Sequence, residues 1–291
     1  MAELDLENIR LFMFHLKKYG PGHVLKILAR KMSAVLKSET PGRARGNETK
    51  KINIEGHEFT ILSKPRLSKD QLLRYWWYFH PRFRFFKTLP SGSKLLDIGA
   101  GPGGISCWKE WNWPLRDDLT LYGIDLRESE LAPKYFDFKI CDLNAGPIPY
   151  EDCLFDAVLM SHVLEHLKDE AGILKEIGRV LKKTGRLYIE IPSEETLGYP
   201  GRAAFLKEGI KVSSINFFDD GTHLRTFPLP VLEILLEEKS GFRVLESGTI
   251  ENKFIEDELF TYGYLHEDEE MATYGVWSKL RWAKYLICEK E

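Results

Sequence analysis

The stretch DIGAGPGGIS, Asp97 to Ser106, carries four glycines, at 99, 101, 103 and 104, directly after the apolar run Lys94-Leu-Leu. A strand that runs into such a loop and then a helix aims its amides and the helix N-terminus at a polar ligand. Gly99, Gly101 and Gly104 fit G-x-G-x-x-G, and Asp125 ends the next strand, which is formally the dinucleotide pattern. The acids favour a different ligand. Asp97, two residues before the first glycine, would repel a pyrophosphate and suits a cation. Asp125 and Asp142 end the next two strand candidates, and carboxylates ending successive parallel strands open into one crevice. A ligand with an ammonium group, a ribose diol and an adenine amine would use all three.

A second constellation is MSHVLEHL, which places His162, Glu165 and His166 at i, i+3 and i+4, expected on one face of a helix. H-x-x-E-H is formally a zinc-peptidase signature, but that motif needs a long helix and a third ligand from a later helix. Here a strand precedes it. A neutral imidazole can accept a proton near neutral pH, so His162, His166 and the later His223 are candidate general bases. Arg225 could hold an anionic substrate group. Glu165 and His166 could also simply tie down the neighbouring helix.

These residues need a scaffold, and from 94 onward strand and helix patterns alternate. Strands are expected at 94–98, 119–124, 136–140, 155–160 and 186–191. KDEAGILKEIGRVLKKTG reads as an amphipathic helix stopped by Gly185. TFPLPVLEILLEEKSG reads as a helix capped by Thr226, with Pro228 in its first turn and Gly241 at its end. Strands at 242–250 and 283–289 lack a clear helix between them, which implies an antiparallel edge hairpin. The expected fold is α/β: a doubly wound, mainly parallel, seven-stranded Rossmann-like sheet with that edge hairpin and an N-terminal helical extension.

Three regions follow. Residues 1–50 form the helical extension and linker, with amphipathic helices at 4–19 and 22–37; the basic helix 22–37 could touch a membrane surface. Residues 51–90 form a hairpin turning near Gly56 and an aromatic helical cap, broken at Pro81. Interleaved Arg and aromatics there could stack on nucleic acid, though core packing is the simpler reading. Residues 91–291 form the main domain, with lid insertions at 193–225 and 251–281.

Composition sets outer bounds. With 41 Lys and Arg against 44 Asp and Glu, the net charge of −3 gives no general attraction to polyanions. Positive charge clusters between Lys17 and Lys51, and acids cluster between Glu251 and Glu270. Cys107, Cys141, Cys153 and Cys288 are scattered and read as reduced thiols. The first ten residues are charged, unlike a secretory leader, so a cytoplasmic location is expected.

LLDIGAGPGG, LYGIDL, KICDLNAGPIPYEDCLFDAVLMSHVLEHL and GRLYIEIP resemble successive motifs of the class I S-adenosylmethionine-dependent methyltransferases, of the group with an "hvLEHL" signature. The likeness covers roughly residues 91–250, and WAKYLICEKE is similar to the family's last strand. It implies S-adenosylmethionine as cofactor and S-adenosylhomocysteine as product. It also implies that Gly99, Gly101 and Gly103 line the methionine part, with Asp97 near the amino group. Asp125 and Leu126 would lie at the ribose, Asp142 and Leu143 at the adenine, and Ser161 or His162 near the sulfonium. Some methyltransferases of this fold are similar in binding a divalent ion at an acid and histidine cluster here. His162 stands in the first position where Mg²⁺ would favour an oxygen, so no metal ligand is assigned.

The acceptor is expected to be a small molecule or glycan, methylated at oxygen and seated under the lid, where Tyr199, Phe205, Phe217 and Phe218 could shape a pocket. The alternatives are an NAD(P)-dependent oxidoreductase, which Asp97 and Asp142 argue against, and a non-catalytic cofactor-binding or membrane-associated scaffold.

Overall fold

The computed structural model describes residues 49–291, so the expected helices at 4–19 and 22–37, and any membrane contact through 22–37, lie outside the described residues. None of the described helices is long and apolar enough to cross a membrane.

The described chain begins with a hairpin, β1 (Lys50–Ile54) and β2 (His57–Ile61), turning at Glu55–Gly56 as expected. Two helices follow, α1 (Lys69–Phe79) and α2 (Pro81–Lys87). His80 separates them, in extended backbone ahead of Pro81, because proline cannot continue a helix from its preceding residue. Their aromatic side chains are largely core: Trp76, Phe83, Phe85 and Phe86 are buried.

The main sheet comprises β3 (Lys94–Ile98), β4 (Thr120–Asp125), β5 (Asp137–Ile140), β6 (Phe155–Ser161), β7 (Leu181–Pro192), β8 (Phe242–Thr249) and β9 (Ala283–Lys290). Their order is β5-β4-β3-β6-β7-β9-β8. The first five are parallel; β9 runs antiparallel to both β7 and β8. Leu96 pairs with Tyr122 on one side and Val158 on the other, which places β3 inside the sheet, next to its middle strand β6. Layers cover both faces of the central strands, so they read as continuous apolar runs with no alternation. One large core joins them to α3 (Glu170–Val180) and a later helix, through Ile173, Leu174, Ile177, Leu232 and Leu236.

Several local expectations are corrected. Helix α3 ends at Val180 and not at Gly185, because Leu181 already pairs with Phe155 of β6. The glycine loop leads into a single 3₁₀ segment, Gly104–Lys109, with no α-helix after it. Two further helices are α4 (Arg202–Lys207) and α5 (Leu229–Ser240). Thr226 does not cap α5: its N-cap is Pro228, and the proline of its first turn is Pro230. Gly241 does end α5, in the left-handed conformation that favours glycine. The last two strands do pair antiparallel at the edge of the sheet, but α6 (Glu256–His266) and α7 (Glu269–Leu280) lie between them in the chain.

Those two helices explain the long insertions. They join the β1–β2 hairpin and α4 around a second core of Ile54, Phe59, Phe205, Ile215, Phe260 and Val276. Residues 193–225 and 251–281 therefore pack on one another and on the hairpin, above the carboxyl edge of the sheet. All four cysteines are free.

Candidate active site

The glycine loop leaves β3 with Gly99 at φ +70 and Gly101 at φ +53. A methyl group on Gly99 would sit 2.2 Å from Val163 Cγ2, just beyond the end of β6. At Gly99 the close neighbour is therefore the protein itself. Gly101 differs: no protein atom lies within 4 Å of the position a Cβ would take. Its amide donates to Asp125 Oδ2 at 2.8 Å. A bare backbone facing open space beside the β4 carboxylate is a cradle that fits the adenosyl ligand expected from the sequence.

The three acids sit at the expected strand ends but in different environments. Asp97 is only 2% exposed and accepts from the Tyr135 hydroxyl at 2.7 Å. Burial pushes its carboxyl up to about 6, although the Tyr135 bond and the Arg82 charge pull the other way. Asp125 is half-buried, and its other oxygen accepts from the Arg127 amide. Asp142 is exposed and turns back to its own loop, accepting from the Asn144 amide at 2.9 Å. Leu143 is half-buried and Leu126 exposed. Ser161, the last residue of β6, accepts from Arg82 Nη1 at 2.9 Å.

The H-x-x-E-H segment is not a helix face. His162 has φ +55, and only Leu164–His166 make a single 3₁₀ turn. His162 Nε2 lies 2.8 Å from Glu190 Oε1, and its Nδ1 lies 3.5 Å from Glu165. Burial alone would lower this imidazole, but the two carboxylates outweigh it and hold it at about 9. His162 is thus an imidazolium at neutral pH and has no lone pair with which to accept a proton. This removes it from the candidate bases.

His166 and His223 come together, with ring centroids 4.8 Å apart. The His223 Nδ1–H donates to the Phe217 carbonyl at 2.7 Å, which leaves Nε2 with its lone pair. Thr222 Oγ1 lies 2.6 Å from Asp220 Oδ1 and gives its only proton to that carboxylate. The same hydroxyl must therefore accept from His166 Nδ1–H, 2.9 Å away, and His166 Nε2 is likewise left as a base. The Leu224 amide donates to the Glu165 carbonyl at 2.8 Å, which ties the loop bearing His223 to the turn bearing His166.

Arg225 does not wait for a substrate: its guanidinium meets both oxygens of Glu170, at 3.1 and 3.0 Å. Of the four aromatics suggested as pocket walls, Phe205 and Phe217 are buried core. Tyr199 donates its hydroxyl to the Leu280 carbonyl. Phe218 alone is open, at 71% exposure, with Leu197 and Leu224 also exposed on the same insertion.

Sequence reasoning missed the charge cluster behind Ser161. Glu190, on β7, is buried and receives the Tyr188 hydroxyl at 2.6 Å as well as His162. Arg82 Nε lies 3.5 Å from its second oxygen, and His80 is 4.0 Å from its first. Burial would raise the Glu190 carboxyl, but the charges of Arg82 and His162 hold it well below the usual carboxylate range. Burial drives His80 down to about 3, so it stays neutral. A lone acid inside the apolar run LYIEIP was the available signal for Glu190.

Comparison with known proteins agrees with this geometry. Residues 96–189 match the family described as methyltransferase domain. A ubiquinone/menaquinone biosynthesis C-methyltransferase of Desulfotalea psychrophila is 26% identical over 127 residues, 42% of this chain and 51% of that protein. A demethylmenaquinone methyltransferase of Bacillus mycoides is 31% identical over 118 residues, 36% of this chain and 47% of that protein. The chain thus spans about half the length of these relatives. The crystal structure of a candidate sarcosine dimethylglycine methyltransferase from Galdieria sulphuraria superposes with a TM-score of 0.50. It is 15% identical and covers 77% of this chain and 92% of its own, a likeness of fold. The glycine loop and the acid-tipped strands thus lie in or beside the stretch that matches the methyltransferase-domain family, on a fold that methyltransferases share.

Proposed function

We propose that the chain transfers a methyl group from S-adenosylmethionine to an oxygen of a small-molecule or glycan acceptor. The observation that carries this reading is the open cradle at Gly101, whose amide is held by Asp125 between the acid-bearing ends of β3 and β5. Asp97 would receive the ammonium group, Asp125 the ribose hydroxyls and Asp142 the adenine amine. Leu126 and Leu143 would flank the nucleoside. Gly99 and Gly103 would line the methionine end, with Ser161, fixed by Arg82, near the sulfonium.

When bound, S-adenosylmethionine supplies an electrophilic methyl group on sulfur. The chain's own contribution is to place the acceptor and remove its proton. The Nε2 lone pairs of His166 and His223 are the available bases, with tautomers set by Thr222 and the Phe217 carbonyl. The proton of an acceptor hydroxyl would pass to one of these imidazoles as its oxygen takes up the methyl group that the cofactor would supply. Positioning alone supplies much of the rate in such a transfer. Residues 193–225 would act as the acceptor lid, with Phe218, Leu197 and Leu224 as its open apolar surface; 251–281 would support it.

The test is a calorimetric titration with S-adenosylhomocysteine beside NADH, then an acceptor screen with the wild type and His223→Ala. Binding of the first alone, with His223→Ala lowering turnover at near-normal cofactor affinity, is the expected result. NADH binding alone would replace the methyltransferase with an oxidoreductase. Cofactor binding without turnover on any acceptor would leave the scaffold reading, and a product methylated on carbon would correct the acceptor atom.

A further inference from the structure

A guanidinium carries five N–H donors, and among the described residues Arg82 spends one of them, from Nη1 to Ser161 Oγ at 2.9 Å. Its Nε, 3.5 Å from Glu190, is buried and makes no hydrogen bond. Unspent donors on a largely buried cation are costly unless a ligand takes them. The group is nevertheless held in one place. Its carbon lies 5.2 Å from the Trp77 ring centre and 5.9 Å from that of Trp108. Those two indoles meet at 4.9 Å, and the Tyr274 ring of α7 packs edge to face on Trp77 at 5.8 Å. Trp77 and Tyr274 are only half-buried, so aromatic surface remains open around the guanidinium. Arg225, the guanidinium that the sequence offered to an anionic group, is already taken by Glu170. Arg82 is not.

We propose that Arg82 sets acceptor specificity by binding a carboxylate carried on an aromatic ring, which packs against Trp77 and Tyr274. The planar fork of a guanidinium matches a carboxylate with two parallel hydrogen bonds, and a point charge does not. An indole and a phenol ring favour a flat apolar partner through offset or edge-to-face contact. Glu190 steadies Arg82 from the Nε side, which leaves Nη2 and the second Nη1 proton for the ligand. The anion belongs to the acceptor because Arg82 donates to Ser161, the residue proposed to stand by the sulfonium. An acceptor must stand there for in-line transfer, whereas the cofactor's own carboxylate would fall to the bare glycine loop. Naming the acceptor class in this way rests on the methyltransferase reading; the carboxylate preference of Arg82 does not.

The test titrates the full chain, with and without saturating S-adenosylhomocysteine, with 3-hydroxybenzoate and its neutral isostere 3-hydroxybenzamide. Calorimetry gives the affinities, and quenching of tryptophan fluorescence reports a ligand beside Trp77 and Trp108. The wild type should prefer the carboxylate by about tenfold or more, the worth of one charge-assisted contact. Arg82→Met should abolish the preference and leave S-adenosylhomocysteine affinity unchanged. Arg82→Lys keeps a counter-charge for Glu190, so it should fold even where Arg82→Met does not, and it should lose most of the preference with the fork. Thermal melts verify folding. No preference in the wild type, or an undiminished preference in both variants, would overturn the proposal. So would weakened S-adenosylhomocysteine binding in the variants with unchanged binding of 5′-methylthioadenosine, which lacks the carboxylate; Arg82 would then serve the cofactor's own carboxylate. A wild type that prefers the benzoate but binds no S-adenosylhomocysteine would sink the methyltransferase reading alone.

Discussion

In the proposed site Asp97 would link cofactor affinity, stability and pH. Its carboxyl is buried at the end of β3, and burial lifts it from 3.8 to about 6 despite the Tyr135 hydroxyl. The fold therefore binds this proton more tightly than the unfolded chain does. Stability from this residue is full below 3.8 and is lost as pH rises through about 6; the shift corresponds to about 3 kcal/mol. Asp97→Asn should thus be the more stable protein at pH 8, by up to about 3 kcal/mol, with the difference vanishing near pH 4. Cofactor binding should run the opposite way, because the ammonium group needs the ionised carboxylate. At pH 5 roughly one apo molecule in eleven would carry that charge, so the S-adenosylhomocysteine Kd should rise about tenfold from pH 7 to pH 5. In Asp97→Asn the Kd should be weak and flat over the same range. Calorimetric titrations at pH 7, 6 and 5, with urea melts at pH 4 and 8, measure both effects. A wild-type Kd that does not change with pH, or an Asp97→Asn protein that keeps the dependence, would refute the reasoning.

Gly99→Ala should destabilise the fold by about 1–3 kcal/mol through its positive φ, with a further penalty from the clash with Val163. Adding Val163→Ala should restore part of the melting temperature, and an unchanged melt in the single variant would remove the packing argument. Glu190→Gln leaves His162 and Arg82 without their buried counter-charge and should cost about 3–5 kcal/mol, read from the urea midpoint; a loss below about 1 kcal/mol would show the cluster to be hydrated. Asp125→Asn can still accept from the Gly101 amide but offers fewer acceptors to a diol. It should weaken S-adenosylhomocysteine binding by roughly 1.5–3 kcal/mol with little change in stability, and an unaltered calorimetric Kd would dismiss the ribose assignment.

What the sequence determined by itself was the sheet and its glycine loop. Strands covered on both faces must be apolar throughout, so KLLDI and FDAVLMS were legible to within a residue. The glycine loop was equally plain, because non-glycine residues are strained at positive φ. Local pattern failed where a neighbour distant in the chain set the outcome. Helix periodicity runs on through Lys182 and Lys183, yet strand pairing with Phe155 claims Leu181 first. Thr226 has the chemistry of a cap, but Pro228 takes the place. Tertiary structure alone decided the charge states and partnerships: His162 is an imidazolium because β7 brings Glu190 to it, Arg225 is occupied by Glu170, and His223 joins Glu165 and His166 through a folded-back loop. Such pairings depend on which low-dielectric space two side chains share, and spacing along the chain carries no record of that.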